Sequence, residues 1–270
     1  MSEIIAFVGK KQSGKNTACN FITLLKLLEY GVCKGGQINN RGEIEVTDIF
    51  GETCFAGEHK DKKYFPLNTE YVNIDALNKE INFVKQYSFA EDLKLLCIKL
   101  LGLRYEQVFG TDEEKNSLTE LKWENMPGVT TELSANKNED IFVSKASIYH
   151  SSGQMTARQV LQFIGTEIFR KMKDDVWINA LMKKIQDEHP DVALISDCRF
   201  PNEMEAIKKL GGKLIGLTRN YTSIDNHESE KITYDYCDII IDNKDMTIPE
   251  QNEAIYKVLI GLGCKNIPKI

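Results

Sequence analysis

The run Gly9-Lys10-Lys11-Gln12-Ser13-Gly14-Lys15-Asn16-Thr17 has the residue types and spacing that bind a polyphosphate. Glycines at its two ends let the backbone curl, so that successive N–H groups point inward at phosphate oxygens. A lysine directly after the second glycine reaches the β- and γ-phosphates of a nucleoside triphosphate as a point charge. A helix starting at this point adds the positive end of its dipole. Gly9, Lys11, Ser13, Gly14, Lys15, Asn16 and Thr17 are therefore the candidate ATP-binding set. The strict pattern G-x-x-x-x-G-K-[ST] ends in a hydroxyl that binds magnesium. Here Asn16 holds that slot, and Thr17 brings the hydroxyl one residue later.

A second anchor is Asp197, which follows the apolar run Val192–Ser196. An aspartate at the end of a buried strand holds magnesium beside the phosphates in triphosphate-using proteins, although many such residues merely cap a helix. Arg199 has the charge to stabilise a transferring phosphoryl group. Glu203 suits a sugar hydroxyl or, equally, the N-terminal turn of a helix. The third anchor is Arg158, in a helix that opens with the capping-box sequence Thr156-Ala157-Arg158-Gln159. An arginine there opposes the helix dipole, which favours phosphate binding over a surface ion pair. Gly165 lies seven residues on, so α-helical spacing puts it on the Arg158 face. Mid-helix glycine costs about 1 kcal/mol relative to alanine, a cost tolerated where another group must approach closely, here a base or sugar. Trp177 is a candidate for stacking on a base, with core packing as the even alternative. Arg219 reads as a lid arginine or an ordinary loop residue, and the Asp225, His227, Glu228, Glu230 group as a polar loop.

These residues require a scaffold of alternating strands and helices. Glu3–Val8 is a short, nearly continuous apolar run, as expected of a strand buried on both faces. From Thr17 to Tyr30, Phe21, Ile22, Leu24, Leu25 and Leu28 recur at helical spacing, and Gly31 stops the helix. Further strands are expected at 83–90, 192–196, 213–218 and 238–241. Helices are expected at 91–101, 156–173, 176–188, 202–210 and 249–262. Residues 31–82, broken by glycines and Asn39-Asn40, read as an insertion of hairpins and loops. The whole predicts one domain over 1–270, with an acceptor-binding or lid region around 90–180.

Composition narrows the partners. A net charge of −6 over 270 residues argues against a nonspecific nucleic-acid or membrane-surface binder, which needs a basic face. No apolar stretch approaches the ~20 residues that span a bilayer. The seven cysteines are scattered without a Cys-x-x-Cys, and the four histidines are isolated, which suits free thiols in a reducing compartment and argues against a zinc site. A cytoplasmic protein is expected, in the host cytoplasm if phage-encoded.

The ordered set of Gly9–Thr17, Ser88–Lys94, Thr156–Glu167, Asp175–Trp177, Ser196–Glu205 and His227–Glu230 resembles the phage-type deoxynucleoside monophosphate kinases, a branch of the P-loop nucleoside monophosphate kinases. The resemblance implies an α/β fold with a doubly wound, mainly parallel five-stranded sheet, carrying inserted hairpin, loop and helical segments. It implies transfer of the γ-phosphoryl of ATP to a deoxynucleoside monophosphate, with Mg2+ and as a homodimer. By position, Lys11, Ser13, Gly14, Lys15 and Thr17 resemble the donor-phosphate cradle, with Thr17 and Asp197 as metal candidates. Arg158, Gly165, Trp177, Asp197, Arg199 and Glu203 resemble the acceptor-side and transition-state groups. Such loops usually carry aspartate where this chain has Asn16. The rivals are a P-loop kinase for another small acceptor, such as dephospho-coenzyme A, and a non-enzymatic nucleotide-binding module. The chain lacks the Asn-Lys-x-Asp signature of a guanine-nucleotide switch.

Overall fold

A computed structural model describes residues 2–49, 65–66, 83–127, 152–219 and 233–268. The chain divides into two compact units, Met1–Phe89 with Asp175–Ile270, and Ala90–Asp174.

The first unit is built on strands β1 (Glu3–Val8), β5 (Val84–Tyr87), β8 (Val192–Cys198), β9 (Lys213–Leu217) and β10 (Ile239–Ile241). They form one sheet in the order β10-β9-β1-β8-β5, and every pairing is parallel. Parallel strands need helical crossovers, so both faces of the sheet are covered and the strands read as apolar runs. Alternation along β1 shows the two faces. Ile5 and Phe7 join Ala18, Cys19, Ile22 and Leu25 of helix α1 (Lys15–Glu29) and Ile255 and Leu259 of the C-terminal helix Ile248–Gly261. Ile4, Ala6 and Val8 join Ile178, Leu181, Met182 and Ile185 of helix Val176–Glu188, and Met204 and Ile207 of helix Pro201–Lys209. The doubly wound α/β sheet expected from the sequence is the one observed.

The 31–82 segment supplies an antiparallel hairpin, β2 (Cys33–Ile38) and β3 (Ile44–Ile49), extended by β4 (Phe65–Pro66). Helix α1 carries a second apolar stripe for it: Leu24 and Leu27 bury against Cys33, Ile44 and Val46. Most of 50–82 lies outside the described residues, as do Asp225 and the His227–Glu230 run.

The second unit holds α2 (Glu91–Leu101), α3 (Tyr105–Phe109), α4 (Asp112–Lys115), the ribbon β6 (Leu118–Lys122) with β7 (Gln154–Thr156), and α5 (Ala157–Gln162). The capping box read at Thr156 is present: its hydroxyl accepts the Gln159 N–H at 3.2 Å, and the Gln159 side chain accepts the Thr156 N–H at 2.9 Å. From Phe163 to Arg170 the same helix continues with π winding. The α-helical spacing that would put Gly165 on the Arg158 face therefore does not run through. The remaining helices, Val176–Glu188, Pro201–Lys209 and Ile248–Gly261, are α6, α7 and α8.

Candidate active site

Strand β1 delivers the Gly9–Thr17 loop to the carboxyl edge of the sheet, where parallel α/β folds place their ligands. Gly9 is buried at the end of the strand, and Lys15 is the first residue of α1. Gly14 lies between them with φ +94°, a left-handed conformation, and a Cβ there would meet Gln251 Oε1 at 2.5 Å. Both facts restrict the position to glycine. Ser13 is fully buried and Lys15 is 7% exposed. The Lys15 ammonium donates to the carbonyls of Gly9 at 2.7 Å and Lys10 at 2.6 Å, and to Ser13 Oγ at 3.4 Å. Its charge is thus held at the mouth of its own loop. Lys11 and Thr17 are half-buried, and Asn16 is exposed.

The loop is braced from behind by residues that the sequence reading did not single out. Asn243, fully buried after β10, donates from Nδ2 to the Ser13 carbonyl at 2.8 Å and to Gln251 Oε1 at 2.6 Å. Gln251, on α8, donates to the Gly14 carbonyl at 3.3 Å. Asn243 Oδ1 accepts the backbone N–H of Arg219 at 2.8 Å. The Arg219 guanidinium donates to the carbonyls of Asn243 and Met246, so this arginine staples the turn between β10 and α8.

Asp197 comes to the loop through strand pairing. Val8 and Cys198 are partners in the parallel β1–β8 pair, so the segments after Val8 and around Cys198 share one edge of the sheet. Strand β8 runs through Asp197 to Cys198, which places the aspartate within the last residues of the strand. Its carboxylate accepts the Ser88 hydroxyl at 2.5 Å on Oδ2 and the Phe89 N–H at 2.9 Å on Oδ1. Ser88 thereby fixes the carboxylate, a role its sequence position did not disclose. Cys19, in the second turn of α1, shows that Asp197 and Lys15 share this neighbourhood. Burial pushes its thiol far above the usual range, the Asp197 carboxylate adds to that, and the Lys15 ammonium opposes it.

The other candidates resolve as follows. Arg199 is half-buried just after β8, and its backbone N–H donates to Glu203 Oε2 at 2.8 Å. That same oxygen accepts the Phe200 N–H at 3.1 Å, and Glu203 is 2% exposed. Glu203 is therefore the buried N-terminal cap of α7 and shapes the turn that carries Arg199. Trp177 is 6% exposed, the burial of a packing residue, which leaves little ring face for a base. In the second unit, Arg158 donates from Nη2 to Asp112 at 2.8 Å and from Nε to Asn116 at 2.9 Å. The close neighbour of Gly165 is Leu93: a Cβ at position 165 would lie 2.5 Å from its Cδ2. The six cysteines among the described residues are free thiols, and no helix among those residues is long and apolar enough to cross a membrane.

The Gly9–Thr17 loop with its buried Lys15 and the hydrogen-bonded Asp197 thus lie at one edge of the parallel sheet. The family model for deoxynucleotide monophosphate kinase matches residues 55–253, most of the chain. The chain belongs to this family. The match begins after the Gly9–Thr17 loop and covers β5, the second unit, β8 and the turn that braces the loop. A protein of Acanthamoeba polyphaga mimivirus, provisionally named deoxynucleotide monophosphate kinase, is 29% identical over 183 residues, or 61% of this chain and 77% of that one. The deoxynucleoside-5'-monophosphate kinase of Escherichia phage T5 is 39% identical over 56 residues, or 20% of this chain and 22% of its own length. Membership in a kinase family argues against the non-enzymatic module and the dephospho-coenzyme A rival.

Proposed function

We propose that this deoxynucleotide monophosphate kinase transfers the γ-phosphoryl of ATP to a deoxynucleoside 5'-monophosphate, giving ADP and the diphosphate, with Gly9–Thr17 as the donor site. The observation that supports this most is the convergence of the Lys15 loop and Asp197 at one edge of the parallel sheet. The acceptor is already an anionic phosphate, so the chemistry needs positioning and charge neutralisation more than a strong base. Lys15 carries charge to the β- and γ-phosphates, and Arg199 stabilises the phosphoryl group in transit. Arg158, oriented by Asp112 and Asn116, binds the acceptor's phosphate. Gly165 packs against Leu93 within the unit that carries Arg158, and Glu203 caps the helix that follows Arg199.

Magnesium fits the donor set, because Asp197 and Thr17 offer the hard oxygen ligands it prefers, and it takes one or two carboxylates with phosphate oxygens and water. When bound, it neutralises charge on the β- and γ-phosphates. Asp197 is kept in place for it by Ser88 and the Phe89 N–H. The reading extends to a homodimer working in a host cytoplasm, which the viral relatives suit; sedimentation of the purified chain tests the dimer.

The deciding assay incubates the protein with Mg-ATP and a panel of ribo- and deoxynucleoside monophosphates while ADP is followed. ADP that depends on particular deoxynucleotides is expected. ATP binding with no acceptor-dependent ADP would overturn the assignment. Lys15→Ala should abolish turnover with the fold intact, and retained activity would remove the loop from the mechanism.

A further inference from the structure

The β2–β3 hairpin lies before the family match and has no part in the roles above. Its tip is seated on the first two turns of α1. Gly42 has φ +79°, and a Cβ there would lie 2.2 Å from the Thr17 hydroxyl oxygen, so only a residue without a side chain fits this approach. The Gly42 carbonyl accepts Asn20 Nδ2 at 2.8 Å, and Asn20 Oδ1 accepts Gln86 Nε2 at 2.9 Å, which ties hairpin, helix and β5 together. Asn39 fixes the turn: its Oδ1 accepts the N–H groups of Arg41 at 2.9 Å and Glu43 at 3.0 Å. With Ile44 and Val46 buried against α1, the hairpin is anchored at its tip and along its length.

This anchoring fixes the position of Arg41. Its Cα is one residue from the contact with Thr17, a spacing of ~3.8 Å between consecutive Cα atoms, and an arginine side chain is longer than that. Arg41 is exposed, and among the described residues no carboxylate is bonded to its guanidinium. Thr17 sits in the first turn of α1, two residues beyond Lys15, the residue read as reaching the β- and γ-phosphates. We propose that Arg41 is a phosphate-binding residue of the donor site, delivered by the β2–β3 hairpin to the γ-phosphate end of the triphosphate. The planar fork of its guanidinium suits paired phosphate oxygens, and the site gains a cation from an element that the loop motif does not contain. The proposal rests on the phosphate-loop reading of Gly9–Thr17.

The test measures ATP and ADP affinities and steady-state kinetics for Arg41→Ala and Arg41→Lys, with Lys15→Ala alongside. Arg41 is exposed, so both variants should melt like the wild type. Arg41→Ala should lose on the order of tenfold to a hundredfold in kcat/KM for ATP, the scale of a lost charge-assisted hydrogen bond. The loss in ATP affinity should exceed the loss for ADP, which lacks the γ-phosphate, and Arg41→Lys should recover part of the difference. Kinetics for Arg41→Ala within twofold of the wild type would overturn the proposal, as would equal weakening of ATP and ADP. An inactive Lys15→Ala beside a normal Arg41→Ala would reject Arg41 alone. An active Lys15→Ala would reject the loop reading and this inference with it.

Discussion

Replacing Asn243 with aspartate exchanges one amide for a carboxylate in a fully buried side chain, and it should loosen the Gly9–Thr17 loop from behind. Asn243 Nδ2 now donates to the Ser13 carbonyl and to Gln251 Oε1, while Oδ1 accepts the Arg219 N–H. The introduced carboxylate keeps the acceptor for Arg219 but turns an oxygen toward two other oxygens. Gln251 can rotate its amide to donate to the new group. Its oxygen then faces the Gly14 carbonyl, which its Nε2 now bonds at 3.3 Å. Either way at least two buried acceptors lose their donor, at ~1–3 kcal/mol each, or roughly 2–6 kcal/mol together. At ~2–4 °C per kcal/mol for a chain of this size, the melting temperature should fall by on the order of 10 °C. The KM for ATP should rise, because the Ser13 carbonyl helps set where the loop's N–H groups point. Protonation would restore a donor, so the deficit against the wild type should shrink as pH falls toward ~4, where the unfolded carboxyl also takes up a proton. Thermal melts from pH 7 to pH 4, with ATP kinetics at pH 7, test all three statements. A melt at pH 7 within ~2 °C of the wild type together with an unchanged KM for ATP would refute the bracing role, since ~2 °C is less than the scale of one buried hydrogen bond.

Three further perturbations follow from the described contacts. Arg158→Ala should raise the acceptor's KM far more than that of ATP, and equal losses on both substrates would mean the residue is misplaced. Gly165→Ala puts a methyl 2.5 Å from Leu93 Cδ2 and should destabilise by roughly 1–3 kcal/mol through overpacking; adding Leu93→Ala should shrink that increment in a double-mutant cycle of thermal melts. Glu188 accepts the Tyr87 hydroxyl at 2.8 Å and the Lys85 ammonium at 3.2 Å; burial pushes its carboxyl up, but these partners bring it below the usual range. A depressed carboxyl contributes stability above its unfolded value of ~4.3 and loses it as pH falls through the lower folded value, so Glu188→Gln should lower the melting temperature at pH 7 and flatten its decline in acid.

What could be read from the sequence was local or periodic. The Gly9–Lys15 loop is contiguous, so its spacing alone carries the argument, and the apolar runs at 3–8, 192–196 and 213–218 read as strands buried on both faces, the usual state in a parallel sheet. The Thr156 and Gln159 pair was legible because a capping box acts across three residues. Tertiary contacts were not legible in this way. Nothing at Asn243 announces a partner 230 residues earlier, and a glycine at 42 looks like any turn until Thr17 is packed against it. Glu203 was ambiguous because an acid three residues into a helix either caps it or faces a ligand; its bonds from the N–H groups of Arg199 and Phe200 show the cap. Gly165 invited a ligand reading because the spacing assumed uniform α winding, whereas the helix turns to π winding at Phe163 and the closely approaching group is Leu93.

The bracing of the loop bears on the phosphate-cradle role proposed for it. Donors and charges aimed at a phosphate are worth most when they need not reorganise to meet it. In this chain the loop is tied on three sides. Strand β1 sits between β8 and β9, Asn243 and Gln251 hold the carbonyls of Ser13 and Gly14, and the β2–β3 tip presses on Thr17. A carbonyl fixed from outside fixes the peptide plane it shares with the next N–H group, so holding Ser13 and Gly14 from behind aims the N–H groups of Gly14 and Lys15. The second brace comes from α8, whose register is set by its own capping box: Glu250 accepts the Thr247 N–H at 2.8 Å, one residue before Gln251. Weakening that distant cap should therefore be felt first at the Ser13–Gly14 loop, because the cap lies one residue from Gln251, whereas Ile255 and Leu259, which pack with β1, lie further along α8.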